Sequence, residues 1–226
     1  MNTPTVRMID KSLLLPDNTV PALRDALQKF VDYCFAPVWG TNCHLLLANE
    51  GDMPPDMVME FLDNPTVPGA FGFHDVRKTG VPYMQIFASV SKAAGEPLSI
   101  TASHELAEAL VDPSCAICAV GPRNVIYAYE TSDAVEEKSF PINGLQMSDF
   151  VTPEWFESYR KPNSTAFSFL KTVNKPFALD RGGYAAVFKS GRWTQIFGSE
   201  RAKAKYKRKP HFRVARRAGQ PVAKAR

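Results

Sequence analysis

Residues 98–113, LSITASHELAEALVDP, are the stretch on which our interpretation of the fold depends. They predict a helix over Leu98–Val111 that stops at Asp112-Pro113, since the residue before a proline disfavours helical geometry. His104 and Glu108 are positions i and i+4 of this helix, and a step of four residues rotates by only about 40°. Asp112, at i+8, continues the same stripe. One edge of the helix therefore carries three side chains that can bind a metal ion.

Glu105 follows His104 directly and points about 100° further round the helix. In zinc hydrolases with an H-E-x-x-H motif, the residue at this position is the general base beside the metal-bound water. Glu108 occupies the place of the second histidine, and a carboxylate can also bind zinc. A set this rich in oxygen also admits calcium or manganese. The alternative is that H-E-x-x-E is an ordinary solvated helix face.

Two further carboxylates follow in the segment 127–133, YAYETSD, which we interpret as the end of a strand. Glu130 and Asp133 could complete the coordination sphere of the first ion or bind a second one. If these acidic groups converge with those of the helix, burying them together without a cation would be costly. The sequence therefore adds Glu130 and Asp133 to the candidate metal ligands.

The segments SHELAEALVDP (103–113) and YAYETSDAVE (127–136) together resemble a zincin-like group encoded in bacteriophage genomes, with the pattern H-E-x-x-E-x-x-x-D-P. The stretches FPINGLQMSDFVTPEWF (140–156) and GGYAAVFKSGRWTQI (182–196) are similar to the same group. The resemblance spans roughly residues 80–200. It implies a metallopeptidase-like α+β domain of a tailed phage, with Glu105 as base and three metal ligands: His104, Glu108 and Asp112. Glu130 and Asp133 match the later acidic pair of the group.

The rest of the chain suggests how this domain is built. We expect a small mixed sheet that includes Pro82–Val90, with the helix Leu98–Val111 packed against it. The other predicted elements are a helix over Val20–Phe35, strands over His44–Ala48, Val125–Glu130 and Ala134–Phe140, a helical turn in Pro153–Tyr159, and a hairpin of Tyr184–Phe188 with Arg192–Phe197. Residues 1–18 are predicted to be irregular, Pro54–Leu62 to be a short helix, and Pro65–Gly72 to be a loop.

For the other histidines and for the cysteines, structural roles are the first expectation. We expect His44 to lie at a strand end and His74 to be packed or at the surface, with an extra metal ligand as the alternative for His74. Cys115 and Cys118 have C-x₂-C spacing, which alone is weak evidence for zinc. Cys34 and Cys43 are the other two cysteines. Three alternatives stay open for the four: reduced thiols, a shared zinc site or a disulfide.

The charges are distributed unevenly along the 226 residues. Residues 201–226 contain 11 Lys or Arg and no Asp or Glu, which leaves 16 basic and 23 acidic side chains in residues 1–200. We divide the chain into a zincin-like domain, residues 1–199, and an extended or disordered basic arm, residues 200–226. The positive charge of the arm favours binding to other virion proteins, to nucleic acid or to an acidic surface.

Composition and termini limit the location of the protein. A hydrophobic fraction of 45% can build a core, whereas no apolar run approaches the roughly 20 residues of a membrane-spanning helix. The first residues, MNTPT, lack the pattern of a secretory signal. We therefore expect a protein without a membrane partner, located in the host cytoplasm during infection or in the virion.

Two functions remain open from the sequence. The first is a metal-dependent peptidase, in which zinc activates water and Glu105 acts as base. The second is a structural virion protein of the tail, neck or capsid that keeps an inactive zincin-like fold, with its basic arm contacting other subunits or DNA.

Overall fold

The computed structural model describes residues 3–51 and 53–206, so most of the basic arm, residues 207–226, lies outside the described residues. The described chain forms two compact units. The first contains the chain up to Pro65, Ala70–Cys115 and Ser139–Met147, and the second contains Thr66–Gly69, Ala116–Lys138 and the chain from Ser148 onward.

The described chain contains eleven strands and five α-helices. The strands are β1 (Thr5–Asp10), β2 (His44–Leu47), β3 (Met57–Leu62), β4 (Gly72–Val76), β5 (Pro82–Phe87), β6 (Cys118–Val120), β7 (Ile126–Ala128), β8 (Ser139–Ile142), β9 (Leu145–Ser148), β10 (Tyr184–Lys189) and β11 (Arg192–Phe197). The α-helices are α1 (Thr19–Phe30), α2 (Ala36–Trp39), α3 (Ala88–Ala94), α4 (Leu98–Val111) and α5 (Glu200–Tyr206). A π-helical turn, Val31–Phe35, joins α1 to α2, and 3₁₀ turns cover Pro122–Asn124, Asp133–Val135 and Pro153–Phe156.

The first unit is built on a five-stranded mixed sheet in the order β2-β1-β3-β5-β4. All neighbours are parallel except β4, which runs antiparallel to β5. The register aligns Met59 with Met84 and Met84 with His74, so these side chains project from the same face. Helix α4 contacts β4 and β5, and α1 contacts β1 and β2. The predicted α+β class, the mixed sheet and the helix Leu98–Val111 packed on it are confirmed.

Two strands of this sheet differ from the sequence predictions, and a third, β4, was not predicted. β1 lies within the segment 1–18 that was predicted to be irregular, and β3 replaces the short helix predicted in Pro54–Leu62. β4 begins at Gly72, where the predicted loop ends. Short runs of this kind fit helix, strand or loop locally, and pairing with distant strands decides between them.

A buried carboxylate in β3 helps to explain why that strand was missed. Glu60 is 5% exposed and accepts hydrogen bonds from Lys11 Nζ at 2.7 Å, Arg77 Nη2 at 2.9 Å and Gln85 Nε2 at 2.9 Å. Burial alone would raise the pKa of Glu60, but hydrogen bonds from Lys11 and Gln85, together with the charge of Arg77, hold it below its ordinary value. A charged residue is therefore tolerated in a central strand because partners from other elements compensate it.

The lowered pKa of Glu60 predicts a pH-dependent contribution to stability. A carboxyl group whose pKa is lower in the folded state stabilises the protein above its unfolded pKa, about 4.3, and loses this effect as pH falls through the folded value. Glu60→Gln should therefore lower the free energy of unfolding by about 1.5–3 kcal/mol at pH 7, the range for hydrogen bonds to charged groups. Urea unfolding should show this difference shrinking toward pH 3. Asp17→Asn, at an exposed residue, is the control; a difference independent of pH would contradict the assignment.

The second unit is built on an antiparallel sheet in the order β11-β10-β7-β6. Its core includes Tyr127, Trp155 and Phe177, whose rings lie 4.5–6.0 Å apart between centroids. The predicted hairpin of β10 and β11 and the helical turn at Pro153–Phe156 are confirmed. The predicted strand over Ala134–Phe140 is wrong, because Asp133–Val135 forms a 3₁₀ turn and β8 begins only at Ser139.

The predicted arm begins with an ordered helix. In α5, Ala202 and Tyr206 are buried, and they form one apolar cluster with Tyr184 and Phe197. Residues 200–206 are thus helical because two apolar side chains on one face pack against the sheet of the second unit. The extended character proposed for the remainder of the arm stays a prediction.

Candidate metal centre

The motif helix α4 is buried along nearly its whole length. His104, Glu105 and Glu108 are 8%, 7% and 3% exposed, and Asp112 at the helix end is fully buried. An ordinary surface helix would expose its charged residues to solvent, because buried charges are tolerated only when they are compensated. The interpretation of H-E-x-x-E as a solvated helix face is therefore wrong.

Within the helix, the predicted i, i+4 pair is formed. His104 Nε2 lies 3.3 Å from Glu108 Oε1. One helical turn therefore brings an imidazole nitrogen and a carboxylate oxygen together without any help from tertiary structure. Both atoms are of the types that bind zinc.

A second histidine joins this pair from the sheet. His74 of β4 is 1% exposed, and its Nδ1 lies 3.1 Å from Glu105 Oε2 and 3.5 Å from Glu108 Oε2. The register with Met84 directs His74 toward the sheet face that α4 covers. The packed role expected for His74 is thus observed, and its packing partners are the two carboxylates of the motif.

Gly72, two residues before His74, permits this approach of strand to helix. A Cβ atom at Gly72 would lie 2.6 Å from Thr101 Cγ2 of α4 and 2.8 Å from the Gln85 carbonyl oxygen. Any larger residue would therefore push β4 away from the helix. The glycine before F-H-D-V is a local signal for a close approach of strand and helix beside His74, which the sequence had offered only as an alternative metal ligand.

The donor atoms fit a divalent cation. One ligand atom each from His74, Glu105 and Glu108 lie within 4.8 Å of one another, and all three residues are buried. Imidazole nitrogen and carboxylate oxygen suit zinc, and the two carboxylates also suit calcium or manganese. Imidazoles lie beside both Glu105 and Glu108, and an imidazole is charged only when it is protonated. This buried group can therefore hold a metal ion.

Asp112 lies at the end of α4 and has a visible structural role. Its backbone N–H donates to the Glu108 carbonyl at 2.8 Å, and its carbonyl accepts from the Cys115 N–H at 3.0 Å. Its side chain lies 3.4 Å from Ser114 Oγ. The metal-capable groups found among residues 3–51 and 53–206 do not include Asp112, so its predicted role as a ligand stays a prediction.

The later acidic pair belongs to the second unit. Glu130 and Asp133 are each 4% exposed, and Asp133 begins the 3₁₀ turn Asp133–Val135. Both are therefore buried carboxylates, a costly arrangement that needs compensation. That they complete the coordination sphere of the ion at His104 stays a prediction.

The remaining histidine and cysteine predictions concern residues outside this group. His44 begins β2 and is exposed, as expected for a strand end. The four cysteines are present as thiols and not as disulfides. Burial and the nearby Asp32 charge raise the pKa of Cys43 to about 12, which disfavours the thiolate that zinc requires.

Comparisons with family models, curated proteins and solved structures found no match to this chain. The geometry of the residues therefore carries the functional argument. Within the part of the chain that the structure describes, no helix has both the length and the apolar character needed to cross a bilayer.

Proposed function

We propose that this chain is a zincin-like metal-binding protein of a tailed bacteriophage and that it acts as a metal-dependent peptidase. The observation that carries the proposal is the burial of His104, Glu105 and Glu108 on one helix. Two imidazole nitrogens, His74 Nδ1 and His104 Nε2, lie close to the Glu108 carboxylate. The α+β architecture with a mixed sheet, and the resemblance of residues 80–200 to the phage group, support it further. Zinc is the proposed ion, with calcium and manganese as alternatives.

The roles proposed for His104, Glu105 and Glu108 follow from their positions on helix α4. His104 and Glu108 hold the ion, and Asp112, Glu130 and Asp133 are the further proposed ligands. A divalent cation held there would supply Lewis acidity toward a substrate carbonyl and toward water. Glu105 would be the general base that takes up a proton during hydrolysis.

His74 positions the proposed base. With its proton on Nδ1, the imidazole donates to Glu105 Oε2 across the 3.1 Å contact and restricts the rotation of that carboxylate. The low exposure of both residues keeps this pair largely out of bulk water.

A structural virion protein is the second candidate function. Two sequence features favour it: Glu108 replaces the second histidine of active H-E-x-x-H peptidases, and residues 201–226 are strongly basic. A more negative ligand set weakens the Lewis acidity of zinc, so the site would then serve stability. The basic arm would bind other virion proteins or DNA through its positive charge.

Elemental analysis of the purified protein, without added metal, tests the metal site. We expect zinc to co-purify with the wild type and His104→Ala to lose one equivalent per chain, because the variant removes the ligand. His44→Ala is the matched control, since that histidine is exposed at a strand end, and should keep the wild-type content. A wild type without metal would overturn the proposal, and undiminished zinc in His104→Ala would overturn the ion at His104 and leave the group of His74, Glu105 and Glu108, or the cysteines, as the zinc ligands.

A further inference from the structure

The carboxylate of Glu108 faces two different imidazoles with its two oxygens. Oε1 lies 3.3 Å from His104 Nε2, which belongs to the same helix. Oε2 lies 3.5 Å from His74 Nδ1, which belongs to the edge strand β4. Glu108 therefore stands between two histidines from different elements, with one oxygen directed to each.

These distances match the spacing between ligands of a single ion. Two donors that each lie about 2.1 Å from zinc in a tetrahedral site are about 3.4 Å apart. The two histidine contacts of Glu108, at 3.3 and 3.5 Å, fall at this spacing, and Glu105 Oε2 lies 3.1 Å from His74 Nδ1. One ion therefore fits against His104 and Glu108, and another fits against His74, Glu105 and Glu108.

We propose that this chain binds two divalent cations side by side, with Glu108 as the bridging ligand. His104 holds the first ion, and His74 and Glu105 hold the second. The inference rests on the proposed metal site and extends it: when the second ion is bound, Glu105 is its ligand and the base function is suspended. Paired ions in hydrolases and phosphatases lie about 3.5–4 Å apart and clamp both reacting oxygens.

Zinc titration of the metal-free full-length protein, with elemental analysis after desalting, tests the second position. We expect two equivalents in the wild type and one in each of His74→Leu and His104→Ala. Glu108→Ala should lose both ions, because it removes the shared ligand. The exposed-histidine variant His44→Ala should retain two.

A spectroscopic measurement on the wild type keeps the test independent of variant folding. Manganese(II) added at two equivalents should give a spin-coupled electron paramagnetic resonance signal, since ions about 4 Å apart interact magnetically. One equivalent that is lost in His104→Ala but retained in His74→Leu would overturn the second position and leave the proposed site at His104 intact. No bound ion at all would overturn both. One equivalent lost only in His74→Leu would overturn the pair and place the single ion at the sheet edge.

Discussion

Replacing Glu105 with glutamine is expected to lower the rate of metal-dependent peptide hydrolysis by a factor of about 10²–10⁴, the usual contribution of a general base. Glutamine has nearly the same shape but cannot take a proton from water. The ion held by His104 should remain, because neither His104 nor Glu108 is altered. Hydrolysis of denatured casein and of quenched peptide libraries, with only one equivalent of zinc per chain restored to each sample so that Glu105 is not occupied as a ligand of the second proposed ion, measures the effect.

The control for this experiment is Glu96→Gln, a half-buried glutamate just before α4 and outside the metal group. It should hydrolyse as the wild type does. Unchanged hydrolysis in Glu105→Gln would refute its role as base. A wild type that binds its ions but cleaves none of these substrates would favour the structural virion protein instead.

Removing the metal with a chelator is expected to lower the free energy of unfolding by about 4 kcal/mol per site, relative to protein held at a free zinc concentration 1,000 times the dissociation constant. The physical reason is that Glu105 and Glu108 are buried, and removing the proposed ion takes away positive charge that stabilises them. Urea unfolding with and without chelator measures the difference, because the midpoint shifts while the slope reports the same exposed surface.

The variant Glu108→Gln separates the loss of stability caused by metal removal from a general effect of the chelator. It preserves the volume of the side chain but removes the negative ligand shared by both proposed ions. Its midpoint should therefore change little on chelation, whereas Glu96→Gln should respond as the wild type does. A wild-type midpoint that is insensitive to chelator would contradict a buried metal site.

The elements that sequence reasoning found have strong local signals. The predicted helix Leu98–Val111 matches α4 at both ends, because prolines flank it closely on either side. The hairpin β10–β11 is set by Ser190-Gly191, where both residues adopt the positive φ that a tight turn needs. In these places the conformation depends on neighbours in the chain, which the sequence displays directly.

The strands that were missed depend on partners far away in the chain. β1 lies between β2 and β3, so its register is decided by residues about 40–50 positions away. Glu60 sits in β3 only because Lys11, Arg77 and Gln85 come to it from other elements. No local pattern contains this information, since parallel pairing joins segments that are distant in sequence.

The candidate site divides in the same way. The i, i+4 spacing of His104 and Glu108 was enough to bring their side chains together, because helical geometry is local and repeats every 3.6 residues. The burial of that pair, and the arrival of His74 beside Glu105, required β4 to pack against α4 at Gly72. Short-range spacing therefore identified the helix edge that carries His104 and Glu108, two side chains that can bind a metal ion. Sheet register and close packing alone decided that the edge is buried and that a second histidine faces it.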